Sequence, residues 1–275
     1  MKKFLVPTDF SDTAKNAARY AVQLARDVKN ASVVLYNVFD GVTTGEEGTD
    51  VYSDEDAKNN LAIATLKTQK AELESLGTGV DIAILAHEGD LIDNLEKLVH
   101  HQSIDLIIMG INGATKLEEI FIGSTTLSVI NHRIAPVLVI PPDNVYREID
   151  NVVFASDFKN VDDTTPVTEL RKFLEMVKAK VHVVNVDVDH YVELTEEYQL
   201  EKAKLNKILD GFNPEYAFVR MYDFVDSINT FAQDRQADII ITVPRRHSFL
   251  EGLFKTSHTK KLAYHTHIPL LALSE

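Results

Sequence analysis

Asp105-Leu106-Ile107-Ile108-Met109-Gly110-Ile111-Asn112-Gly113 is a short apolar run that stops at two glycines, and after nine intervening residues the chain reads Gly123-Ser124-Thr125-Thr126. Leu106 to Met109 has the length and composition of a buried strand, whereas Ser124 opens a stretch with helical patterning. A strand leading through glycine corners to a helix start is suited to phosphate. Glycine admits positive φ and close approach of a ligand, and the amides and hydroxyls of a helix start attract an anion.

Outward from this stretch the chain repeats itself. Asp9-Phe10 falls on Asp157-Phe158 at an offset of 148 residues, and the same offset carries Asn37-Val38 onto Asn185-Val186. Further on, an offset of 133 pairs Gly110 with Val243, Asp90 with Asp223, Asp105 with Asp238 and Pro136 with Pro269. The second copy is therefore shorter, and the loss lies between Val38 and Val80, where the first copy carries the polar stretch Asp40 to Asp56. That stretch reads as a solvated loop, with a lid over the ligand as the alternative.

Each copy alternates β-type runs with amphipathic segments, the pattern of a parallel α/β sheet. The strands expected in the first copy are Lys3 to Pro7, Ser32 to Val38, Val80 to Ala86, Asp105 to Met109 and Pro136 to Ile140. Their counterparts are Asn151 to Ala155, Lys180 to Val186, Pro214 to Arg220, Asp238 to Thr242 and Pro269 to Leu273. Ser11 can cap a helix whose positions Ala14, Ala17, Ala18, Ala21, Val22 and Ala25 share one face. Asp54 to Leu76, Asp90 to His101 and Ser124 to Arg133 read as further helices, Gly77 as a helix stop, and Pro141-Pro142-Asp143-Asn144 as a turn and short linker.

Length and composition narrow the partners. The chain has 275 residues with 45% hydrophobic content, enough for two cores. A formal charge of −14 argues against a general nucleic-acid or anionic-membrane surface. There is no cysteine, hence no disulfide, thiolate metal site or cysteine nucleophile. The start of the chain reaches Asp9 after too few apolar residues for a signal sequence, and no run approaches a membrane span. These features predict a cytoplasmic protein that partners neither nucleic acid nor membrane.

Taken together, Val6-Pro7-Thr8-Asp9 at the end of the first strand, the G-x2-G-x9-G-S pattern of Gly110, Gly113, Gly123 and Ser124, and the closing Pro136-Val137-Leu138-Val139-Ile140 strand resemble the universal stress protein family. The likeness covers nearly the whole chain as two UspA-like domains in tandem, 1–143 with the intact nucleotide motif and 148–275 with a degenerate one. It implies an α/β fold of two Rossmann-like (adenine nucleotide alpha hydrolase-like) domains. Each is then a five-stranded parallel sheet in order 3-2-1-4-5 flanked by helices. It also implies ATP or another adenine nucleotide as ligand. On that basis Pro7, Thr8 and Asp9 border the adenosine, Val38 meets the adenine edge through its backbone, and Met109 and Gly110 line the pocket. Gly113, Gly123, Ser124, Thr125 and Thr126 contact ribose and phosphates, with any Mg2+ held by the phosphates. Pairing of the last strands, Val137 to Ile140 with Leu270 to Leu273, would make an intramolecular pseudodimer, and a homodimer remains open.

The same residues have a purely structural reading. Gly110 can be a strand-to-loop corner, Gly123 a tight turn and Ser124 an ordinary N-cap. Asp9 and Asp157 can cap the helices that follow them. In the second copy Gly110, Gly113 and Gly123 become Val243, Arg246 and Thr256, while Ser257 and Thr259 remain. Added Cβ atoms there favour a retained fold with a lost site. Arg245, Arg246, His247, Lys255, Lys260 and Lys261 make a basic cluster, read as solvated surface rather than an anion site. Neither His100-His101 nor His265-Thr266-His267 has the spacing of metal ligands, and no catalytic constellation is recognisable. The sequence thus points to a nucleotide-binding stress-response or regulatory module. The alternatives are a slow ATPase or autophosphorylating protein, with Ser124 or a nearby threonine involved, and a nucleotide-independent module that captures a protein partner.

Overall fold

The computed structural model describes residues 1–39, 55–111, 123–186, 196–219, 224–244 and 267–273. By contact density the chain divides into two compact units, Met1–Gly110 and Ile111–Glu275.

In the first unit the order is β1 (Lys2–Pro7), α1 (Asp12–Asp27), β2 (Ala31–Phe39), α2 (Glu55–Glu74), β3 (Asp81–Glu88), α3 (Leu91–Gln102) and β4 (Leu106–Gly110). The sheet runs β3-β2-β1-β4 with every pair parallel, Lys2 beside Ala31, Ser32 beside Asp81 and Phe4 beside Leu106. Phe4, Leu5, Val6, Ile107 and Ile108 are wholly buried, as expected of strands covered on both faces. Helix α1 buries the predicted alanine face, and Ser11 caps it by accepting the Ala14 amide at 3.3 Å. Gly77, at φ +67°, stops the last turn of α2 as its sequence position predicts.

In the second unit the order is α4 (Ser124–His132), β5 (Val137–Ile140), β6 (Asn151–Ala155), α5 (Val161–Thr164), α6 (Val167–Val177) and β7 (Lys180–Val186). It continues through α7 (Glu196–Ile208), β8 (Glu215–Val219), α8 (Phe224–Asp234), β9 (Ile239–Thr242) and β10 (Leu270–Ala272). Its sheet runs β5-β10-β9-β6-β7-β8. Counted within the second repeat, β8-β7-β6-β9-β10 is the order 3-2-1-4-5, all parallel. Strand β5, the last of the first repeat, pairs antiparallel with β10, Leu138 beside Leu271. The terminal strands of the two repeats therefore join.

One departure follows from a single residue. The repeat frame aligns the first helix without a gap, yet in the second copy that helix is split into α5 and α6. Pro166, at the position of Ala18, supplies no amide hydrogen and stands as the N-cap of α6.

Candidate functional site

The turn after β1 is pinned from three sides. The Thr8 amide donates to the Tyr36 carbonyl at 2.8 Å, and the Asn37 side chain donates to the Thr8 carbonyl at 2.7 Å. The Thr8 hydroxyl accepts the Phe10 amide at 3.0 Å and donates to Gln69 Oε1 at 3.2 Å. Asp9 Oδ1 accepts from the Ser11 amide at 3.0 Å and from the Ser11 hydroxyl at 2.6 Å. These bonds hold Phe10 at φ 65°, a conformation costly for a side chain with Cβ. The carboxylate of Asp9 is exposed while Pro7 and Thr8 are buried, so the turn presents one acid above an ordered backbone. Asp9 does not cap α1, as the structural reading allowed; it orients the capping residue Ser11.

Beside this turn lies the end of β4. Phe4 and Leu5 of β1 pair with Leu106 and Ile107, so the continued register brings Pro7-Thr8 alongside Met109-Gly110. Val38 is half-buried on β2, opposite His87 of β3. Pro7, Thr8, Asp9, Val38, Met109 and Gly110 thus gather at the carboxyl ends of adjacent parallel strands, where open α/β sheets bind ligands. A Cβ built on Gly110 would lie 2.6 Å from the Thr13 carbonyl carbon, closer than real contacts permit. This glycine lets α1 sit against β4, a packing role that the motif did not reveal.

In the second unit α4 begins at Ser124, with Gly123 as its N-cap at φ −60° and ψ 153°. Two expectations are corrected here. Ser124 is the first helical residue rather than the cap, and Gly123 does not use the left-handed region. The cap position makes no side-chain hydrogen bond, and no acidic residue lies in the first turn. Among the described residues a Cβ on Gly123 would meet nothing within 4 Å. Ser124 and Thr125 are exposed, whereas Thr126 is buried at 4%. The contrast with α1 and α3 is chemical. Ser11 caps α1, and Asp90 caps α3 by accepting the Ile92 and Asp93 amides at 2.7 and 3.1 Å. Helix α4 has a glycine at its cap, which supplies no side-chain acceptor.

The second repeat keeps the frame of the turn and fills the space above it. Ser156 and Asn185 repeat the bonds of Thr8 and Asn37, with Asn185 Nδ2 donating to the Ser156 carbonyl at 2.9 Å. Phe158, in the position of Phe10, is 2% exposed and stacks on Phe218 with centroids 5.5 Å apart. Tyr198 and Tyr216 complete the cluster, and burial pushes the Tyr216 phenol up to about 12. Asp157 is buried where Asp9 is exposed, and it bonds the Lys159 amide at 3.2 Å rather than capping α5, whose N-cap is Asn160. Val243, in the position of Gly110, is 1% exposed. Sequence reading located the lost glycines but missed this aromatic filling. Its signal was present in the change of Ile84 and Ala86 to Tyr216 and Phe218 at equivalent strand positions.

Gly113 lies outside the described residues, as do most of the Asp40 to Asp56 stretch, Arg246, Thr256, Ser257, Thr259 and the basic cluster. Among the described residues no group of three His, Asp or Glu is placed to hold a metal ion. No described helix is long and apolar enough to cross a membrane.

A parallel first unit of order 3-2-1-4 and a second repeat of order 3-2-1-4-5, with polar groups at the strand carboxyl ends, define the class of the molecule as Rossmann-like. Comparison with known proteins then gives the family. The universal stress protein family profile matches residues 1–141 and again 149–274. The chain is 33% identical over 160 residues to universal stress protein MJ0577 of Methanocaldococcus jannaschii, covering 52% of this chain and 96% of that one. It is 28% identical over 310 residues to universal stress protein Slr1230 of Synechocystis, covering 98% and 99%. A universal stress protein structure from Archaeoglobus fulgidus superposes with a TM-score of 0.71 at 18% identity, over 99% of this chain and 98% of that one, which speaks for the fold. The chain belongs to the universal stress protein family, with two family domains in tandem.

Proposed function

We propose that the first repeat, residues 1–143, binds ATP or a related adenine nucleotide, and that the chain acts as a stress-response or regulatory module rather than a catalyst. The observation that carries this reading is the start of α4, where the Gly123 cap makes no side-chain hydrogen bond, the Ser124 and Thr125 hydroxyls are exposed, and no described residue comes within 4 Å of a Cβ on Gly123. Such an end favours a phosphate without an arginine. Thr8, Asp9, Val38, Met109 and Gly110 supply the base and ribose contacts in this reading, and Gly113 and Gly123 to Thr126 the phosphate contacts. Mg2+ arrives with the phosphates, since the described residues offer no acidic cage. The second repeat, residues 148–275, serves as a structural or partner-binding pseudo-subunit, because Phe158, Tyr198, Phe218 and Val243 occupy its equivalent space.

Isothermal titration with ATP tests this directly, with native mass spectrometry reporting the count. One nucleotide per chain is expected. No binding at millimolar nucleotide by ligand-free protein overturns the reading, and two sites per chain overturn its asymmetry. The exposure of the Ser124 and Thr125 hydroxyls favours a second reading, autophosphorylation at this helix start. Incubation with Mg2+ and ATP followed by phosphosite mapping decides it, since an unmodified Ser124–Thr126 segment rejects the idea.

A further inference from the structure

Gln69 on α2 is 4% exposed, and only one end of its amide is satisfied. Oε1 accepts the Thr8 hydroxyl at 3.2 Å, while Nε2 has no partner among the described residues. The Thr8 oxygen accepts the Phe10 amide at 3.0 Å and its hydroxyl donates to Gln69 Oε1, so in this assigned orientation the Gln69 NH2 is the end left over. A buried N–H donor without an acceptor is disfavoured unless something outside the folded chain completes it.

The equivalent position of the second repeat shows what a completed arrangement looks like. Gln69 precedes the buried Leu73 by four residues, and Glu201 on α7 precedes the buried Leu205 by four. Each follows the second strand of its repeat, and each approaches the turn after the first strand. Glu201 Oε2 accepts the Val161 amide at 2.7 Å and Oε1 accepts Lys204 Nζ at 2.6 Å, so both carboxylate oxygens are satisfied within the chain. The repeat that has lost the glycine pattern has closed this position. The repeat that keeps the pattern leaves a donor there.

We propose that Gln69 contacts ligand, its Nε2–H donating to an uncharged acceptor on the nucleoside part of the bound nucleotide; this rests on the nucleotide-binding reading above. The class of acceptor follows from charge. Gln69 is neutral and is tied to Thr8, the neighbour of the exposed carboxylate of Asp9. A phosphate beside Asp9 meets like charge, whereas a ring nitrogen or a sugar oxygen meets only a donor.

The test uses the full chain and two probes, ATP and AMP. In the wild type, the Gln69 side-chain amide signals in a 1H–15N spectrum shift on saturation with either nucleotide. In Gln69→Leu both nucleotides weaken by the same factor, about ten-fold, as expected for one lost hydrogen bond that leaves an acceptor unpaired. The ligand-free variant still folds, with a lower melting midpoint, because the substitution takes away the acceptor of the buried Thr8 hydroxyl along with the unpaired donor. Unshifted amide signals overturn the proposal, as does unchanged affinity in the variant. A loss confined to ATP also overturns it, because the contact would then lie on the phosphates. If wild type binds neither nucleotide, the nucleotide reading itself falls; if wild type binds and Gln69→Leu binds equally well, only the role of Gln69 falls. Should Gln69→Leu fail to fold, the wild-type amide shift decides alone.

Discussion

Gly110 and Gly123 belong to one sequence motif but do different work. At Gly110 a methyl group collides with the backbone of Thr13, so Gly110→Ala must push α1 away from β4. The expected cost is about 1–3 kcal/mol, read as a lower urea midpoint, together with weaker nucleotide binding. Gly123→Ala meets no described residue at φ −60°, and the expected loss of stability is below about 1 kcal/mol, the range of a cap substitution. If the space over Gly123 admits phosphate, the same variant loses ATP affinity while its unfolding barely moves. Equal stability losses for the two variants would show that the motif glycines act alike. His182 gives a residue-scale prediction of another kind. It is 2% exposed on β7, with Nε2 3.3 Å from Asn151 Oδ1 and Nδ1 3.3 Å from Glu215 Oε2, in a geometry short of a hydrogen bond. Burial lowers its pKa; Glu215 opposes this, and Arg235 and Lys180 reinforce it. The unfolded chain then binds the proton first. Stability falls as pH drops below about 6.5 and levels off beneath the lowered folded value. Melting curves from pH 7.5 to 5 follow this, and His182→Leu is expected to flatten that part of the profile.

Among elements, the starts of helices separate self-sufficient segments from those left open. Ser11 was legible as a cap because a short polar side chain directly before an amphipathic run has few other uses, whereas Asp90, expected as the first helical residue, is the cap of α3. The start of α4 was not legible. Gly-Ser-Thr-Thr offers a capping serine by pattern, and only the backbone shows that the helix begins one residue too early for Ser124 to cap it. Gln69 was equally hidden, because α2 carries polar residues on much of its circumference and sequence does not say which of them turn inward. Its counterpart Glu201 supports a prediction at this scale. Burial alone would raise the Glu201 pKa, but the hydrogen bonds from Lys204 and the Val161 amide lower it overall. Glu201→Ala leaves the Val161 amide without its acceptor, and about 1–3 kcal/mol of stability should be lost at neutral pH. The contribution of Glu201 is present above pH 4.5 and disappears as pH falls through its lowered folded value, so the gap between variant and wild type closes in acid.

For the whole molecule, the informative pairing is β5 with β10, Val139 beside Leu270 and Val137 beside Ala272. The residues of β5 are buried, and β10 supplies the hydrogen-bonding edge that the strand would otherwise expose. Residues 1–143 produced alone are therefore expected to associate through β5, seen as a dimer by sedimentation, with Leu138→Lys returning it to monomer. A monomeric, stable 1–143 fragment would show that this edge needs no partner.

Sequence alone determined the two-fold repeat, the alternation of strands and helices and the asymmetry of the glycines. Each of these is written in local periodicity, spacing and residue size, which survive without knowledge of what lies opposite. Only tertiary structure decided that Gly110 is needed by Thr13 and that Phe158, Tyr198 and Phe218 fill the second repeat. It alone decided that Gln69 is buried with one donor unpaired among the described residues. Those facts concern residues far apart in the chain, and whether a polar atom finds a partner or a Cβ finds room is set by the surfaces that folding brings together.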